Sequence, residues 1–159
     1  MSYSQNPPLY LARSISGCTH KDVFSWYAKY IKILTKIGFD VMSPLTDDEY
    51  IRTNTVFRAE GNGTAGQSND AIVIRDRKMA KKADFMLCDL RNTNRVSIGC
   101  VNEIAWSKDA GNMVHIVMEP QNIHRHAFII QGAIVFDNMD DALAYLSRFI
   151  KQKPKRRKT

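Results

Sequence analysis

Three cysteines are too few, and too scattered, to staple a fold. Cys18, Cys88 and Cys100 make neither a Cys-x-x-Cys pair nor an even set, so a disulfide framework is not expected and a reducing, cytoplasmic setting is. The histidines serve a metal no better: His20 and His115 stand alone, and His124 and His126 sit in one turn with no third ligand beside them. Neither a metal nor another cofactor is expected. The glycines include no GxxxxGK[ST] or GxGxxG pattern closing on a helix, which argues against the usual phosphate-cradling loops. No run approaches the ~18 apolar residues of a membrane span, and MSYSQNPPLY lacks a charged segment followed by a long apolar one. Neither membrane insertion nor export is expected. No internal repeat is visible.

What is present suits one domain. The 159 residues are 44% hydrophobic, enough for a real core. The net charge of +7 suggests a polyanion partner until it is located. Lys151, Lys153, Lys155, Arg156, Arg157 and Lys158 carry six of those charges, leaving residues 1–150 at +1. The expected organisation is therefore a single domain over 1–150 and a basic, mobile tail over 151–159 that offers nucleic acid only a secondary contact.

Strand and helix patterns alternate along the chain. Leu9 to Ala12 reads as a strand running into the small polar turn Arg13 to Gly17. Thr19 and Asp22 resemble a capping box for a helix with Phe24, Tyr27, Ile31 and Leu34 on one face, ended by Gly38. Asp40 to Leu45 is a short second strand. Glu60 to Asn69, rich in glycine and small polar residues, is expected to be a lid. A helix spans Asp70 to Lys82, and the apolar run Ala83 to Leu90 is a buried parallel strand with Asp89 at its carboxyl end. Beyond the turn Arg91 to Arg95, Ser97 to Lys108 reads as helix and Met113 to Met118 as strand. Phe128 to Phe136 reads as strand with Gly132 inside it, and Met139 to Phe149 as the last helix, capped by Asn138 and Asp141. The simplest arrangement is an α/β, flavodoxin-like three-layer sandwich with a five-stranded parallel sheet ordered 2-1-3-4-5.

Open sheets of this kind bind ligands at their carboxyl edge. Asp76, Asp89 and Glu103 converge there with Tyr10, and clustered carboxylates are unfavourable unless a proton, a cation or an electron-poor substrate relieves them. Ser97-Ile98-Gly99 brings a hydroxyl and free backbone N–H groups at a helix start, suited to a sugar hydroxyl or phosphate. Glu103, a turn further on, is placed to attack an anomeric carbon. Each residue also has a plainer role: Glu103 as a solvated helix residue, Asp76 as a partner for Arg75, Arg77 or Lys78, Asp89 as a turn cap, Tyr10 as a core aromatic. Trp26 and Trp106 fall in helical patterns, where apolar packing is expected over stacking on a base.

Ala83-Asp84-Phe85 to Asp89, then Ser97-x-Gly99-x-x-x-Glu103, with Asp76 upstream and Tyr10-x-x-x-Ser14 at the first turn, resembles the nucleoside 2-deoxyribosyltransferase superfamily. Its members include the transferases and the deoxynucleoside 5′-monophosphate N-glycosidases. The resemblance implies a nucleophile at Glu103, a carboxylate near the departing base at Asp76, and an acidic group near the sugar at Asp89. It also implies a tyrosine holding the glutamate at Tyr10, and a sugar-lining loop at Ser97 and Gly99, with Arg13 and Ser14 at the first turn. The substrate it implies is a nucleoside or nucleotide, bound in a homo-oligomer whose neighbouring subunit completes each site, with Asn122 to Arg125 the segment expected to do so. Two positions depart from the pattern: Arg13 stands where the nucleotide hydrolases usually have glycine, and Ser16 where they place arginine. Either Arg13 supplies the phosphate's cation from a shifted position, or the substrate is an uncharged nucleoside. Three outcomes stay open: sugar transfer to a second base, hydrolysis, and a non-catalytic nucleotide-binding module anchored by the tail.

Overall fold

Apolar runs bounded by polar turns become the strands, as their composition dictates. The computed structural model describes residues 6–45, 57 and 68–150. The elements are β1 (Pro8–Arg13), α1 (His20–Ile37), β2 (Asp40–Met42), α2 (Asn69–Lys82), β3 (Phe85–Asp89), α3 (Ile98–Asp109), β4 (Met113–Val117), α4 (Ala127–Ile130), β5 (Ile134–Phe136) and α5 (Met139–Ser147). The five strands are all parallel, in the order β2-β1-β3-β4-β5. This is the expected flavodoxin-like α/β sandwich. Residues 60–67 of the expected lid and the tail 151–159 lie outside the described residues. Among the described residues no helix is long and apolar enough to cross a membrane, and all three cysteines are free thiols.

The sheet is buried on both faces, and strand alternation decides which core each side chain joins. Leu9, Leu11, Phe85, Leu87 and Val117 pack with Val23, Tyr27 and Leu34 of α1 and Met139, Ala142 and Leu146 of α5. Their neighbours Tyr10, Ala12, Met86, Cys88 and Ile116 point the other way, to Ala80 of α2, Cys100 and Ile104 of α3, and Ile129 of α4. Each fully buried side chain of this size contributes about 1.5–3 kcal/mol.

Local chemistry sets the helix ends. The Thr19 hydroxyl accepts from the Asp22 amide at 3.2 Å and donates to the Asp22 carboxylate at 2.6 Å, fixing the start of α1. Gly38 ends it at φ 125°, and a Cβ there would meet Ile150 Cγ2 at 2.8 Å, so both backbone and space require glycine. Asn138 accepts from the Asp141 amide at 2.9 Å to start α5.

One expected element is different. Phe128 to Phe136 is not a continuous strand: Ala127–Ile130 is a helical turn, Gly132 has φ 71°, and only Ile134–Phe136 pairs with β4. The His126 ring accepts from the Phe128 amide at 3.3 Å. Lys108 Nζ, reaching across from α3, donates to the carbonyls of Phe128, Ile129 and Gln131 at 3.0, 2.7 and 2.6 Å. Those carbonyls are thereby satisfied without a sheet ladder. An apolar run this short has no periodicity to tell helix from strand.

Candidate active site

Position 10 on β1 faces α3, and position 103 on α3 faces the sheet. The Tyr10 hydroxyl donates to Glu103 Oε1 at 2.6 Å, and both side chains are buried. Burial pushes the Glu103 carboxyl up to about 7; the hydrogen bond from Tyr10 works against this, the nearby negative charge of Asp76 adds to it, and the Cys100 thiol one turn earlier lowers it. Desolvation is the largest of these effects because a carboxylate cut off from water loses its hydration, and one phenol restores only part of it. Burial, and then the charges of Glu103 and Asp76, raise the Tyr10 phenol well above its ordinary value, so it stays a proton donor.

Asp76 comes from α2, within electrostatic reach of both groups. Its Oδ1 accepts from Arg75 Nε at 3.1 Å, and the two side chains are only 13% and 18% exposed. The pairing with a neighbouring cation foreseen for the surface is thus present, but in a largely covered setting. The structure brings Tyr10, Asp76 and Glu103 together.

Asp89 lies on the other side of the sheet. It shares the parity of Phe85 and Leu87 and pairs in register with Arg13, so its carboxylate points toward α1. There Arg91 Nε and Nη2 reach Oδ1 and Oδ2 at 2.9 and 2.8 Å, the Arg91 amide reaches Oδ1 at 3.1 Å, and Trp26 Nε1 donates to Oδ2 at 3.2 Å. Hydrogen bonding to Asp89 raises the Arg91 guanidinium further above its already high range. Such a two-pronged pair holds a guanidinium in one plane.

Trp26 therefore does more than pack. Its indole N–H fixes Asp89 while its face carries the Arg13 guanidinium, 5.3 Å from the ring centroid. These groups, with Ser14, Ser16, Cys18 and residues 91–95, line a cavity of about 340 Å³ between the β1–α1 and β3–α3 loops. Tyr10, Asp76 and Glu103 are not among the described residues that line it. Sequence reasoning missed Arg91, Arg95 and Trp26 here. Two arginines bracketing the turn after β3 were the available signal, whereas nothing local marks Trp26.

Ser97 caps α3, its hydroxyl accepting from the Cys100 amide at 3.5 Å. The next two amides, of Ile98 and Gly99, have no partner within the helix. Gly99 is exposed, and a Cβ there would meet nothing within 4 Å. Among the described residues, packing thus imposes no glycine at this position. The Ser97 amide donates to His124 Nε2 at 2.8 Å, so that nitrogen carries no proton; His124 Nδ1 therefore holds it and donates to Asn122 Oδ1 at 2.8 Å. Burial lowers the His124 pKa, consistent with a neutral ring. Asn122 in turn donates to the Leu90 carbonyl and to Glu119 at 2.7 Å each. Asn122 and His124, expected to reach into a neighbouring site, here brace the loop that leads into the Glu103 helix of their own chain.

The fold and this site define a doubly wound α/β protein with a buried, phenol-tethered carboxylate between α3 and the middle of its sheet. Among solved structures the same fold is seen in the 2-deoxyribosyltransferase of Bacillus psychrosaccharolyticus, 17% identical, with a TM-score of 0.62 over 87% of this chain and 91% of that one. The CMP N-glycosidase of Clostridium botulinum is 15% identical, with a TM-score of 0.55 over 89% and 98% of the two chains. The 2-desoxiribosyltransferase of Leishmania mexicana is 17% identical, with a TM-score of 0.58 over 89% and 97%. At these identities the likeness is one of fold. No family model matches the sequence, and no curated protein matches it.

Proposed function

We propose that this chain is an enzyme of the nucleoside 2-deoxyribosyltransferase superfamily that cleaves the N-glycosidic bond of a 2′-deoxynucleoside. The observation that carries the proposal is the Tyr10–Glu103 hydrogen bond of 2.6 Å in a covered site beside Asp76. A carboxylate nucleophile needs a donor that holds it in place without neutralising it, and a phenol does so. Glu103 attacks C1′ as the C1′–N bond breaks, and the bonding pair leaves with the base, to which Asp76 delivers a proton. A nitrogen of a second base then attacks C1′ of the glycosyl ester, its N–H proton passing back to the Asp76 carboxylate as the ester bond breaks and frees Glu103, so two inversions retain the configuration. Asp89 acts at a remove, by orienting Arg91 and Trp26 toward the bound sugar end. Ser97 and Gly99 offer the helix start to sugar oxygens, and Arg13 and Ser14 bound the adjoining turn.

A hydrolase that lets water release the sugar shares every step up to the ester. The arginine-lined cavity favours a nucleotide over a nucleoside in either case. A homo-oligomer is part of the same proposal: Ile98 and Phe128 are 73% and 85% exposed, and light scattering reads the mass directly.

Incubation with a deoxynucleoside or its 5′-monophosphate and a different free base, followed by chromatography, tests the reaction. A swapped nucleoside marks a transferase and free sugar a hydrolase, and Glu103→Ala abolishes both. Unchanged material across all bases, or activity that survives Glu103→Ala, refutes the proposal.

A further inference from the structure

We propose, resting on the function above, that His124 is a positioning residue of the site: its neutral ring locks the start of the Glu103 helix, and a second proton on that ring releases it. The lock is built by the loop 118–126 between β4 and α4, which grips the neighbouring β3–α3 loop by its backbone. Asn122 Nδ2 donates to the Leu90 carbonyl at 2.7 Å, Glu119 accepts from the Asn92 amide at 2.7 Å, and His124 Nε2 accepts from the Ser97 amide at 2.8 Å. Thr93 adds a further tie, its hydroxyl donating to the Leu90 carbonyl at 2.9 Å and lying 3.4 Å from His124 Nδ1. The β3–α3 loop is thus held at both ends and in the middle.

The direction of each bond decides what a proton does. A backbone amide can only donate, so the Nε2 atom that faces Ser97 must be bare, and Nδ1 carries the proton of the neutral ring to Asn122 Oδ1 at 2.8 Å. That oxygen is itself fixed: it accepts from the His124 amide at 3.0 Å, while Nδ2 of the same side chain is turned to Leu90 and Glu119. A second proton therefore has one place to go, Nε2, where it meets the Ser97 N–H. Two donors then face each other around a ring that is only 2% exposed, and the Ser97 amide is left without its acceptor.

Among the described residues, the charged groups of the two loops are engaged elsewhere. Glu119 is held by Asn92 and Asn122 with Arg91 nearby, Arg125 pairs with Asp137 at 3.8 Å, and the His126 ring takes the Phe128 amide. Arg91 and Arg95 line the cavity. Burial is what lowers the His124 pKa from its ordinary 6.5, so the ring is neutral at neutral pH and gains its second proton only in acid. The release reaches the site through Ser97, the N-cap of α3, which precedes the Ile98 and Gly99 amides assigned above to sugar oxygens. Glu103 keeps its separate tie to Tyr10. His124 touches no reacting atom; it sets where that helix start stands.

The test compares 15N-labelled wild type, His124→Gln and His124→Leu between about pH 5 and about pH 8. Glutamine offers an acceptor oxygen near the Nε2 position and does not titrate, whereas leucine offers none. Ring 15N shifts are expected to place the proton of the neutral form on Nδ1. Exchange of the Ser97 amide, corrected for its intrinsic pH dependence, should quicken roughly ten-fold when the wild-type ring is protonated. It should stay slow throughout in H124Q and fast throughout in H124L. The acid limb of kcat/KM should fall with a two-proton slope in wild type, from Glu103 and then His124, and with a one-proton slope in H124Q. A neutral ring protonated on Nε2, or Ser97 exchange indifferent to ring titration, overturns the lock. If H124L fails to fold, the ring shifts and H124Q decide the question alone. Exchange that follows the ring in a protein without glycosidic activity supports the lock and sinks the proposed function; turnover with Ser97 indifferent to the ring does the reverse.

Discussion

Replacing Glu103 by glutamine should make the protein more stable, and only above a definite pH. The folded state holds this carboxyl at about 7 against an ordinary value of 4.5. Below about pH 4.5 both folded and unfolded chains carry the proton, and the group is neutral in the balance. As the pH rises toward 7 the unfolded chain releases its proton while the folded chain retains it, so stability falls across that window. Above it the penalty is constant, at about 3 kcal/mol. Glutamine keeps an oxygen for the Tyr10 hydroxyl and has no proton to lose. Glu103→Gln is therefore expected to raise the unfolding midpoint near pH 8 by roughly 6–12 °C for a chain of this size, and by little near pH 4.5. Thermal or urea unfolding of both proteins across this range is the assay. A variant equally stable to wild type at pH 8, or shifted by one constant amount at every pH, refutes the claim that burial of this carboxyl dominates its chemistry.

Three other perturbations test the surrounding contacts. Tyr10→Phe removes the hydrogen bond that lowers the Glu103 pKa; the acid limb of kcat/KM should move to higher pH, and activity near neutrality should fall roughly ten-fold. Unaltered pH dependence would show that the phenol does not steady the carboxylate. Asp89→Asn leaves Arg91 without its counter-charge, and the pair is largely covered. About 2–3 kcal/mol of stability should be lost in urea unfolding, with Trp26 fluorescence changed by loss of its acceptor. Lys108→Met keeps the aliphatic stem but strips the donor from three carbonyls, which should destabilise by about 1–3 kcal/mol. Hydrogen exchange should quicken in residues 127–131, and unchanged exchange there would mean that α4 holds itself.

Much of the architecture was legible because its signals are local. A capping pair such as Thr19 and Asp22, a terminator such as Gly38, and the continuous apolar runs of β1, β3 and β4 each act within a few residues, and alternating strands and helices leave few topologies to choose among. Phe128 to Phe136 failed for the converse reason: the carbonyls of Phe128, Ile129 and Gln131 are satisfied by a lysine 20 to 23 residues away, which no window on the segment contains. At the site, spacing singled out Glu103 and Asp76, but Tyr10 was balanced between core and chemistry. Its hydrogen bond spans 93 residues.

Element order, sheet order and the identity of the acidic side chains were thus determined by the sequence itself, through short-range propensity and the hydrophobic demand of a doubly covered sheet. Which face each side chain meets was decided only in three dimensions. A fully buried strand is apolar on both sides, so its composition does not reveal which alternate residues look toward α1 and which toward α3. That parity separates Asp89 from Glu103, unites Tyr10 with Glu103, and sets Arg13 and Asp89 on the side of Trp26.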